Sequence, residues 1–204
     1  TDTEVLIQGI RIKGLDFLKE IDGCWAFAYL NNIENKLIIS RDLLGEKQIF
    51  YYKDANEFIF SSEVASLLEI IGKNLEVDIV ELLTSIRFFS SSNENTIINK
   101  IKRFKPGQTL IFDLTQNVVV KEFYPVKLDP HKWIDYFKSK PSDESVIKNL
   151  SDIFFQSVKN RLAKDISFFT TLSGGIDSNL MTYFASLEKK NIDTIYIQTS
   201  EKIE

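Results

Sequence analysis

The chain has 204 residues, of which 44% are hydrophobic and 26% charged, and its formal net charge is −4. This length allows one large domain or two modest ones, and the composition is typical of a globular protein. The negative charge argues against a broad nucleic-acid surface, and no apolar run approaches the roughly 20 residues of a membrane helix. We therefore expect no nucleic acid and no membrane as partner, and a cytoplasmic location.

The first part of the chain is predicted to consist of short strands and helices. Apolar residues at helical spacing predict a helix over residues 2–20. Runs of strand-forming residues between polar turns predict strands at 24–30, 36–41, 49–52 and 57–61, helices at 63–71 and 78–89, and a β-hairpin from 109–113 and 118–123. Arg41 shares a strand face with Leu37 and Ile39, so it is expected to point towards whatever that face covers.

The apolar period changes in the last third of the chain. Residues 124–142 contain prolines and little periodicity, and they are predicted to be a linker between domains at 1–123 and 143–204. Beyond it, the pattern predicts a helix, a continuous apolar strand at 166–172, a second helix and a strand at 192–198. This order predicts a parallel sheet with helices on its faces. Because a lone βαβ unit cannot cover both faces of its sheet, we expect the native chain to continue beyond Glu204.

The chain has one cysteine, Cys24, and one histidine, His131. Cys24 lies in an apolar run that predicts a buried strand, so we expect a small core residue. His131 lies in the predicted linker and is expected to be exposed. A Cys/His or Ser/His catalytic pair therefore has little support in these residues.

The most informative motif is the segment Ser173-Gly174-Gly175-Ile176-Asp177-Ser178, between a predicted strand and a predicted helix. Two glycines allow successive N–H groups to point into one concavity, and the helix start adds its positive dipole end. Ser173 and Ser178 add hydroxyl donors, and Asp177 can hold the magnesium that accompanies a nucleotide. We interpret the segment as a pyrophosphate-binding loop for ATP cleaved between its α- and β-phosphates. The alternative is an ordinary turn with an Asp or Ser N-cap.

Several motifs, in order, closely resemble those of glutamine-hydrolysing asparagine synthetases. They are Asp22 to Ala28, Ser40 to Gly45, Ser61 to Leu67, Phe104 to Gln108 with Phe123-Tyr124, and Leu172 to Ser178. The resemblance implies an α+β N-terminal-nucleophile-type sandwich, present in part, followed by a truncated α/β parallel-sheet nucleotide-binding domain. It also implies an ATP-dependent amide ligase, in which one domain hydrolyses glutamine and the other uses ATP and Mg²⁺ to adenylate aspartate for attack by the ammonia.

The same resemblance implies individual site residues. Asp2 would hold the α-amino group of glutamine, although helix capping is the simpler explanation from the residues alone. Ser173, Gly174, Gly175, Asp177 and Ser178 would bind the phosphates of ATP, with Asp177 as the magnesium ligand, and the backbone at Leu172 and Ile197 would border the adenine. Gln198 stands where the family usually has glycine. For Arg41 and Asp42, an ion-paired turn that orders the sheet is favoured over a position beside the ammonia path.

The chain lacks the N-terminal nucleophilic cysteine of the family, so no catalytic residue is assigned. Thr1 falls in the middle of the family pattern, and we expect an internal fragment of a longer synthetase without glutaminase or adenylation activity of its own. Ring-closing relatives such as β-lactam synthetases and lasso-peptide cyclases also lack that cysteine. A non-catalytic module that binds nucleotide or a partner protein is the third alternative.

The acceptor carboxylate and the oligomeric state stay open at this stage. Two aromatic pairs, Phe88-Phe89 and Phe154-Phe155, could lie in the core or at the interface of a homo-oligomer.

Overall fold

The computed structural model describes residues 1–72, 75–91, 94–116, 118–125, 129–162 and 166–196. The chain divides into two compact units, Thr1–Leu128 and Asp129–Glu204. Within the described residues, no helix combines the length and the apolar character that crossing a bilayer requires.

The first unit begins with helix α1 (Asp2–Lys13), which is followed by a 3-10 helix (Gly14–Lys19). The other elements are β1 (Ala26–Asn31), β2 (Lys36–Arg41), β3 (Phe50–Lys53), β4 (Phe58–Ser61), α2 (Val64–Ile71), α3 (Ile79–Phe88), β5 (Ile101–Arg103), β6 (Thr109–Asp113) and β7 (Val118–Phe123). The predicted helices, strands and hairpin of this unit are therefore confirmed, and β5 was missed because it has only three residues.

Two antiparallel sheets form the framework of the first unit, with strand orders β1-β2-β6-β7 and β4-β3-β5. Buried apolar residues from both sides of this framework form one cluster, Ile39, Ile49, Phe104 and Leu110, against which Leu37, Tyr51, Phe58 and Val119 pack. The rings of Phe58 in β4 and Phe112 in β6 lie 5.2 Å apart. The sheets therefore pack on each other around a shared core, and the unit has the α+β architecture that the sequence predicts.

The prediction that Cys24 is a core residue is wrong. Cys24 is exposed and precedes β1, which begins at Ala26. Exposed and half-buried residues alternate along β1, so only one side of this strand faces apolar neighbours. A continuous apolar run thus produced a strand that is covered on one face rather than on two.

The second unit contains α4 (Pro130–Lys138), α5 (Asp143–Arg161), β8 (Phe169–Thr171), α6 (Ile176–Glu188) and β9 (Asp193–Ile195). Strands β8 and β9 are parallel, with Phe169 opposite Asp193 and Thr171 opposite Ile195. Helices α5 and α6 share a small core of Val158, Phe184 and Ala185. The parallel strand–helix–strand arrangement follows the sequence pattern.

The segment predicted as a linker contains helix α4. Asp129 caps this helix, since its Oδ1 accepts a hydrogen bond of 2.9 Å from the N–H of His131, and Pro130 occupies the first turn. Proline is favoured at that position because its N–H would have no helical partner. The proline that suggested a linker is therefore a helix start, and His131 is exposed on the helix rather than in a loop.

The two aromatic pairs differ in their surroundings. Phe88 is 65% exposed and Phe89 is 96% exposed. Phe155, in contrast, packs against the Val158–Phe184–Ala185 core, and the rings of Phe154 and Phe184 lie 5.2 Å apart. The first pair is thus a surface feature of its unit. Of the second pair, Phe155 packs against a core, whereas Phe154 lies at its edge and is 36% exposed.

Phe104 is fully buried in the first unit, so Phe104→Ala should lower the free energy of unfolding by about 3–5 kcal/mol. The exposed Phe89 provides a matched control, and Phe89→Ala should change it by less than about 0.5 kcal/mol. Urea unfolding is monitored by the fluorescence of Trp25 in a Trp133→Phe background, so that the signal reports the unfolding of the first unit alone. Equal transition midpoints for the two variants would contradict the assigned core.

The carboxylate of Glu94 lies 3.2 Å from the ammonium groups of both Lys102 and Lys105. Burial raises the pKa of Glu94, but the hydrogen bonds and charges of Lys105 and Lys102 outweigh it, and the net pKa lies below its usual value of 4.5. A lowered folded-state pKa stabilises the protein above the unfolded pKa, and this stabilisation disappears as the pH falls through the folded value.

Glu94→Gln should therefore destabilise the first unit at pH 7 by about 0.5–1 kcal/mol, as is usual for partly exposed ion pairs. The difference from wild type should shrink as the pH falls below about 4.5, the unperturbed value. Urea midpoints measured from pH 7 to pH 3 test this, with Glu69→Gln, at an exposed position of α2, as a surface control. A difference that is constant with pH would refute the ion-pair explanation.

Candidate functional site

The glycine-containing segment connects the end of β8 to the start of α6. Leu172 continues the sheet, since its N–H donates a 2.9 Å hydrogen bond to the carbonyl oxygen of Ile195. The chain then turns at Gly174, whose φ of +83° lies in a region that side chains disfavour. The turn delivers the chain to the N-terminus of α6, so the segment has the predicted strand–turn–helix form.

Hydroxyl groups hold this turn closed. The Oγ of Ser178 accepts a 3.2 Å hydrogen bond from the N–H of Ser173 and lies 3.0 Å from the Ser173 Oγ. It also donates to the carbonyl oxygen of Gly175 at 3.1 Å. Ser173 is exposed and Ser178 is half-buried, so both hydroxyl groups lie where they can exchange these contacts for those of a ligand at the helix N-terminus.

The alternative explanation of the motif, an Asp or Ser N-cap, does not describe this turn. The N-cap of α6 is Gly175, and no side chain caps the helix. Asp177 lies in the first turn and is exposed. Its carboxylate is thus available to a ligand or cation.

A magnesium ion bound with a nucleotide fits this chemistry. Among the described residues there is no group of three or more His, Cys, Asp or Glu side chains that could hold a metal by themselves. Mg²⁺ bound with a nucleotide takes one or two carboxylates and completes its shell with phosphate oxygens and water. The single exposed Asp177 is compatible with that mode, and the loop could hold the ion only together with phosphate.

The first unit carries a separate cleft of about 680 Å³ beside α1. This volume is in the range of small-molecule sites. Its lining residues are Asp2, Thr3, Val5, Leu6, Phe17, Ile21, Asp22, Gly23, Cys24, Trp25, Ala26, Phe27, Lys47, Gln48 and Ser62. The lining thus combines apolar walls with a few carboxylate, ammonium and amide groups.

Asp2 lies in the first turn of α1 and lines this cleft. The helix cap is Thr1, whose Oγ1 accepts a 3.3 Å hydrogen bond from the N–H of Glu4. The Asp2 carboxylate accepts a 2.8 Å hydrogen bond from the N–H of Thr3 and is exposed. Thr1 is thus the N-cap residue, but Asp2 also satisfies a first-turn N–H of the helix. Its exposed carboxylate lies where a ligand in the cleft could reach it.

Arg41 and Asp42 are 3% and 1% exposed and order the turns around the cleft. The Arg41 guanidinium donates to the carbonyl oxygens of Gly45, Lys47 and Phe104 and to the side chain of Gln48. The Asp42 carboxylate accepts 2.9 Å hydrogen bonds from the N–H groups of Glu46 and Lys47. The turn-ordering interpretation is confirmed, but it depends on carbonyl and amide partners instead of an ion pair.

Of the two residues predicted to border the adenine, one lies within the described part of the chain. Leu172 lies at the end of β8, beside the loop, whereas Ile197 and the neighbouring Gln198 lie outside the described residues. Sequence reasoning missed Lys47 and Gln48, which line the cleft. Their signal was weak, since two polar residues after the Ser40 to Gly45 motif look like an ordinary loop.

Comparison with known proteins agrees with this division into units. The family model described as "Glutamine amidotransferase domain" matches residues 1–124, and that described as "Asparagine synthase" matches residues 149–204. The first match covers more than half of the chain, so the first unit is a glutamine amidotransferase domain by family. With the second match, the chain belongs to the asparagine synthetase family.

Individual relatives support the same family. The putative glutamine-hydrolyzing asparagine synthetase 2 of Methanocaldococcus jannaschii is 36% identical over 197 residues, which cover 93% of this chain and 36% of the relative. Glutamine-hydrolyzing asparagine synthetase 3 of Bacillus subtilis is 29% identical over 187 residues, or 91% of this chain and 29% of the relative. Amidase chry2 of Gibberella zeae is 25% identical over 180 residues, or 88% of this chain and 26% of the relative. The chain thus spans about a third of the length of such relatives.

The two glycines of the loop should respond differently to substitution. Gly174 has φ +83°, so Gly174→Ala strains the backbone although space is open around it, and we expect a loss of about 1–2 kcal/mol. Gly175 has φ −78°, and a Cβ there would lie 3.5 Å from the Ser173 Oγ, an ordinary contact. Gly175→Ala should therefore change the stability of the second unit by less than about 0.5 kcal/mol.

Hydrogen exchange of the α6 amides, compared between the two variants and wild type, measures this difference. Equal protection in both variants would show that the left-handed turn at Gly174 is not required for the start of α6.

Proposed function

We propose that the protein to which this chain belongs is an ATP-dependent amide ligase of the glutamine-hydrolysing asparagine synthase type. The proposal is carried by the Ser173–Ser178 loop, which presents glycine N–H groups, two hydroxyl groups and one exposed carboxylate at a helix N-terminus. This set of donors suits the oxygens of pyrophosphate. The family membership favours this function over an unrelated nucleotide-binding one.

In the proposed reaction, aspartate attacks the α-phosphate of ATP and pyrophosphate leaves. Ammonia then displaces AMP from the acyl-adenylate, and asparagine is formed. Within the chain, Ser173, Gly174, Gly175 and Ser178 would bind the departing pyrophosphate, and Asp177 would hold Mg²⁺. Leu172 and Ile197 would border the adenine.

The cleft beside α1 is proposed to hold glutamine, the donor of ammonia. Asp2 supplies a carboxylate that can bind the ammonium of the substrate's α-amino group. No residue of this chain is proposed as the nucleophile, and we expect negligible glutamine hydrolysis from the 204-residue polypeptide. A cytoplasmic location also remains a prediction.

Two other functions are separated by one experiment. A ring-closing ligase would adenylate an acid other than aspartate, and a binding module would adenylate none. Exchange of labelled pyrophosphate into ATP by the native protein that contains this chain should depend on aspartate. Exchange that depends on a different acid would favour the ring-closing alternative, and no exchange with any acid would favour the binding module.

Binding to the loop itself can be measured on the chain. Titration with ATP and Mg²⁺, followed by the amide NMR signals of Gly174 and Gly175, should show saturable shifts. Asp177→Asn should weaken Mg·ATP binding by about tenfold, which corresponds to about 1.4 kcal/mol, and it should have little effect on ATP alone. Asp193→Asn, an exposed carboxylate on β9, is the matched control. Equal Mg·ATP affinities of the wild type, Asp177→Asn and Asp193→Asn would refute the assignment of Asp177 as the magnesium ligand.

A further inference from the structure

Helix α3 turns an apolar face towards solvent. Apolar residues recur along it at positions i, i+1, i+4 and i+7, which places them on one stripe of the helix, and a phenylalanine follows at its C-terminal end. Each of these side chains is between 60% and 96% exposed. We call this set the α3 surface, and it consists of Ile79, Val80, Leu83, Ile86 and Phe89.

The opposite side of the helix holds α3 in this orientation. Glu81 is buried, and its carboxylate accepts a 3.1 Å hydrogen bond from the side-chain amide of Asn95. The chain just before the helix is fixed as well, since the N–H of Asp78 donates a 3.0 Å hydrogen bond to the carbonyl oxygen of Ile97. A rotation of α3 that buried the stripe would break these bonds and expose the polar side instead. The apolar stripe is therefore not available to the core of its own unit.

Phe89 is a second indication that this surface has a partner. It ends α3 in the left-handed conformation, with φ +53°. Glycine is favoured at such a helix end, and a bulky side chain there costs stability. A ring that is almost fully exposed gains little from packing within its own unit to offset that cost. Burial of the ring against another molecule would offset it.

The α3 surface is large enough to form a stable interface. The five mostly exposed side chains present on the order of 700 Å² of apolar area, because a large side chain buries roughly 150–250 Å². The largest apolar patch on a typical monomer is roughly 300–600 Å². Each partner contributes about 800 Å² to an interface of standard size, so the α3 surface and its polar rim meet that requirement.

The two ends of α3 carry opposite charges. Glu76 and Asp78 precede its first residue, and Arg87 lies in its last turn. Two such helices packed antiparallel would place the acidic end of each copy beside Arg87 of the other, and their dipoles would be opposed favourably. Parallel packing would place like charges together. The surface is thus complementary to itself in the antiparallel arrangement, which is the one that a two-fold axis generates across a helix pair.

We propose that the α3 surface is an interface between two copies of this protein. Two α3 helices pack antiparallel across a two-fold axis that passes near Leu83, the middle of the apolar stripe. Leu83 of one copy lies against Leu83 of the other, and Arg87 faces Glu76. The α3 surface lies outside the lining of the cleft beside α1 and outside the Ser173–Ser178 loop, so the proposal does not depend on the function proposed for either.

Sedimentation equilibrium of the native protein that contains this chain measures the association. The wild type should be a dimer at micromolar concentration. Leu83→Asp places two carboxylates against each other at the axis and should raise the dimer dissociation constant about 100-fold or more. The matched control Ile33→Asp, at an exposed apolar residue of the β1–β2 turn, should leave it unchanged. A monomeric wild type, or a dimer that Leu83→Asp leaves intact, would overturn the proposal.

Charge reversal tests the antiparallel arrangement. Glu76→Arg and Arg87→Glu should each raise the dissociation constant about fivefold to tenfold, because every change acts twice in a two-fold interface. The double variant restores opposite charges and should associate nearly as tightly as the wild type. If the two effects simply add in the double variant, Glu76 and Arg87 do not face each other, and the arrangement is wrong.

Contact of the stripe with itself is tested by Leu83→Cys. Mild oxidation should produce a disulfide-linked species of twice the mass, which neither the wild type nor the control Ile33→Cys forms. Without that species, the stripe is covered by something other than a second copy, and the proposal fails. Phe89→Ala should weaken the dimer but leave the urea unfolding of the separated monomer unchanged, because Phe89 acts on association and not on the core.

Discussion

The first unit depends on the burial of Arg41 and Asp42 at the end of β2. Burial, and then the positive charge of nearby Arg103, lower the pKa of Arg41, while Asp42 raises it. Burying a cation costs free energy unless its N–H donors are hydrogen-bonded. Here the carbonyl oxygens of Gly45, Lys47 and Phe104 accept from the Arg41 guanidinium. The burial of Arg41 therefore requires both turns to be folded against the sheet.

The same constraint connects the fold to the cleft. Asp42 accepts from two N–H groups of one turn, and its carbonyl oxygen accepts a 2.7 Å hydrogen bond from the N–H of Gly107. A buried polar network of this kind gives one defined geometry, because each lost partner leaves an unsatisfied group. A cleft whose wall is formed by such turns is pre-organised, and its polar groups lose little entropy when a ligand binds.

The sequence predicted the features that depend on local patterns and missed those that depend on distant contacts. Strand β2 and the β6–β7 hairpin were predicted from runs of strand-forming residues between polar turns. The turn at Gly174 was predicted from the two glycines of the loop, which allow a tight backbone turn. The cleft-lining position of Gln48 could not be found in this way, because Gln48 is held by Arg41. Arg41 in turn donates a hydrogen bond to the carbonyl oxygen of Phe104, 63 residues away in the chain. Helix α4 was missed for a different reason, since Pro130 can either break a helix or start one.

The two candidate sites also differ in how they relate to the sequence. The loop of the second unit would bind through backbone N–H groups and small hydroxyl groups, so its glycines and serines identify it wherever they occur after a strand. In the cleft of the first unit, selectivity would reside in side chains on α1 and on the turn after β2, which lie far apart in the chain. Motif comparison therefore points to phosphate chemistry in the loop more readily than to the ligand proposed for the cleft. Under the proposed function, the identity of that ligand would depend on a few polar groups of the cleft wall, and the buried network of Arg41 and Asp42 holds the turns that carry some of them.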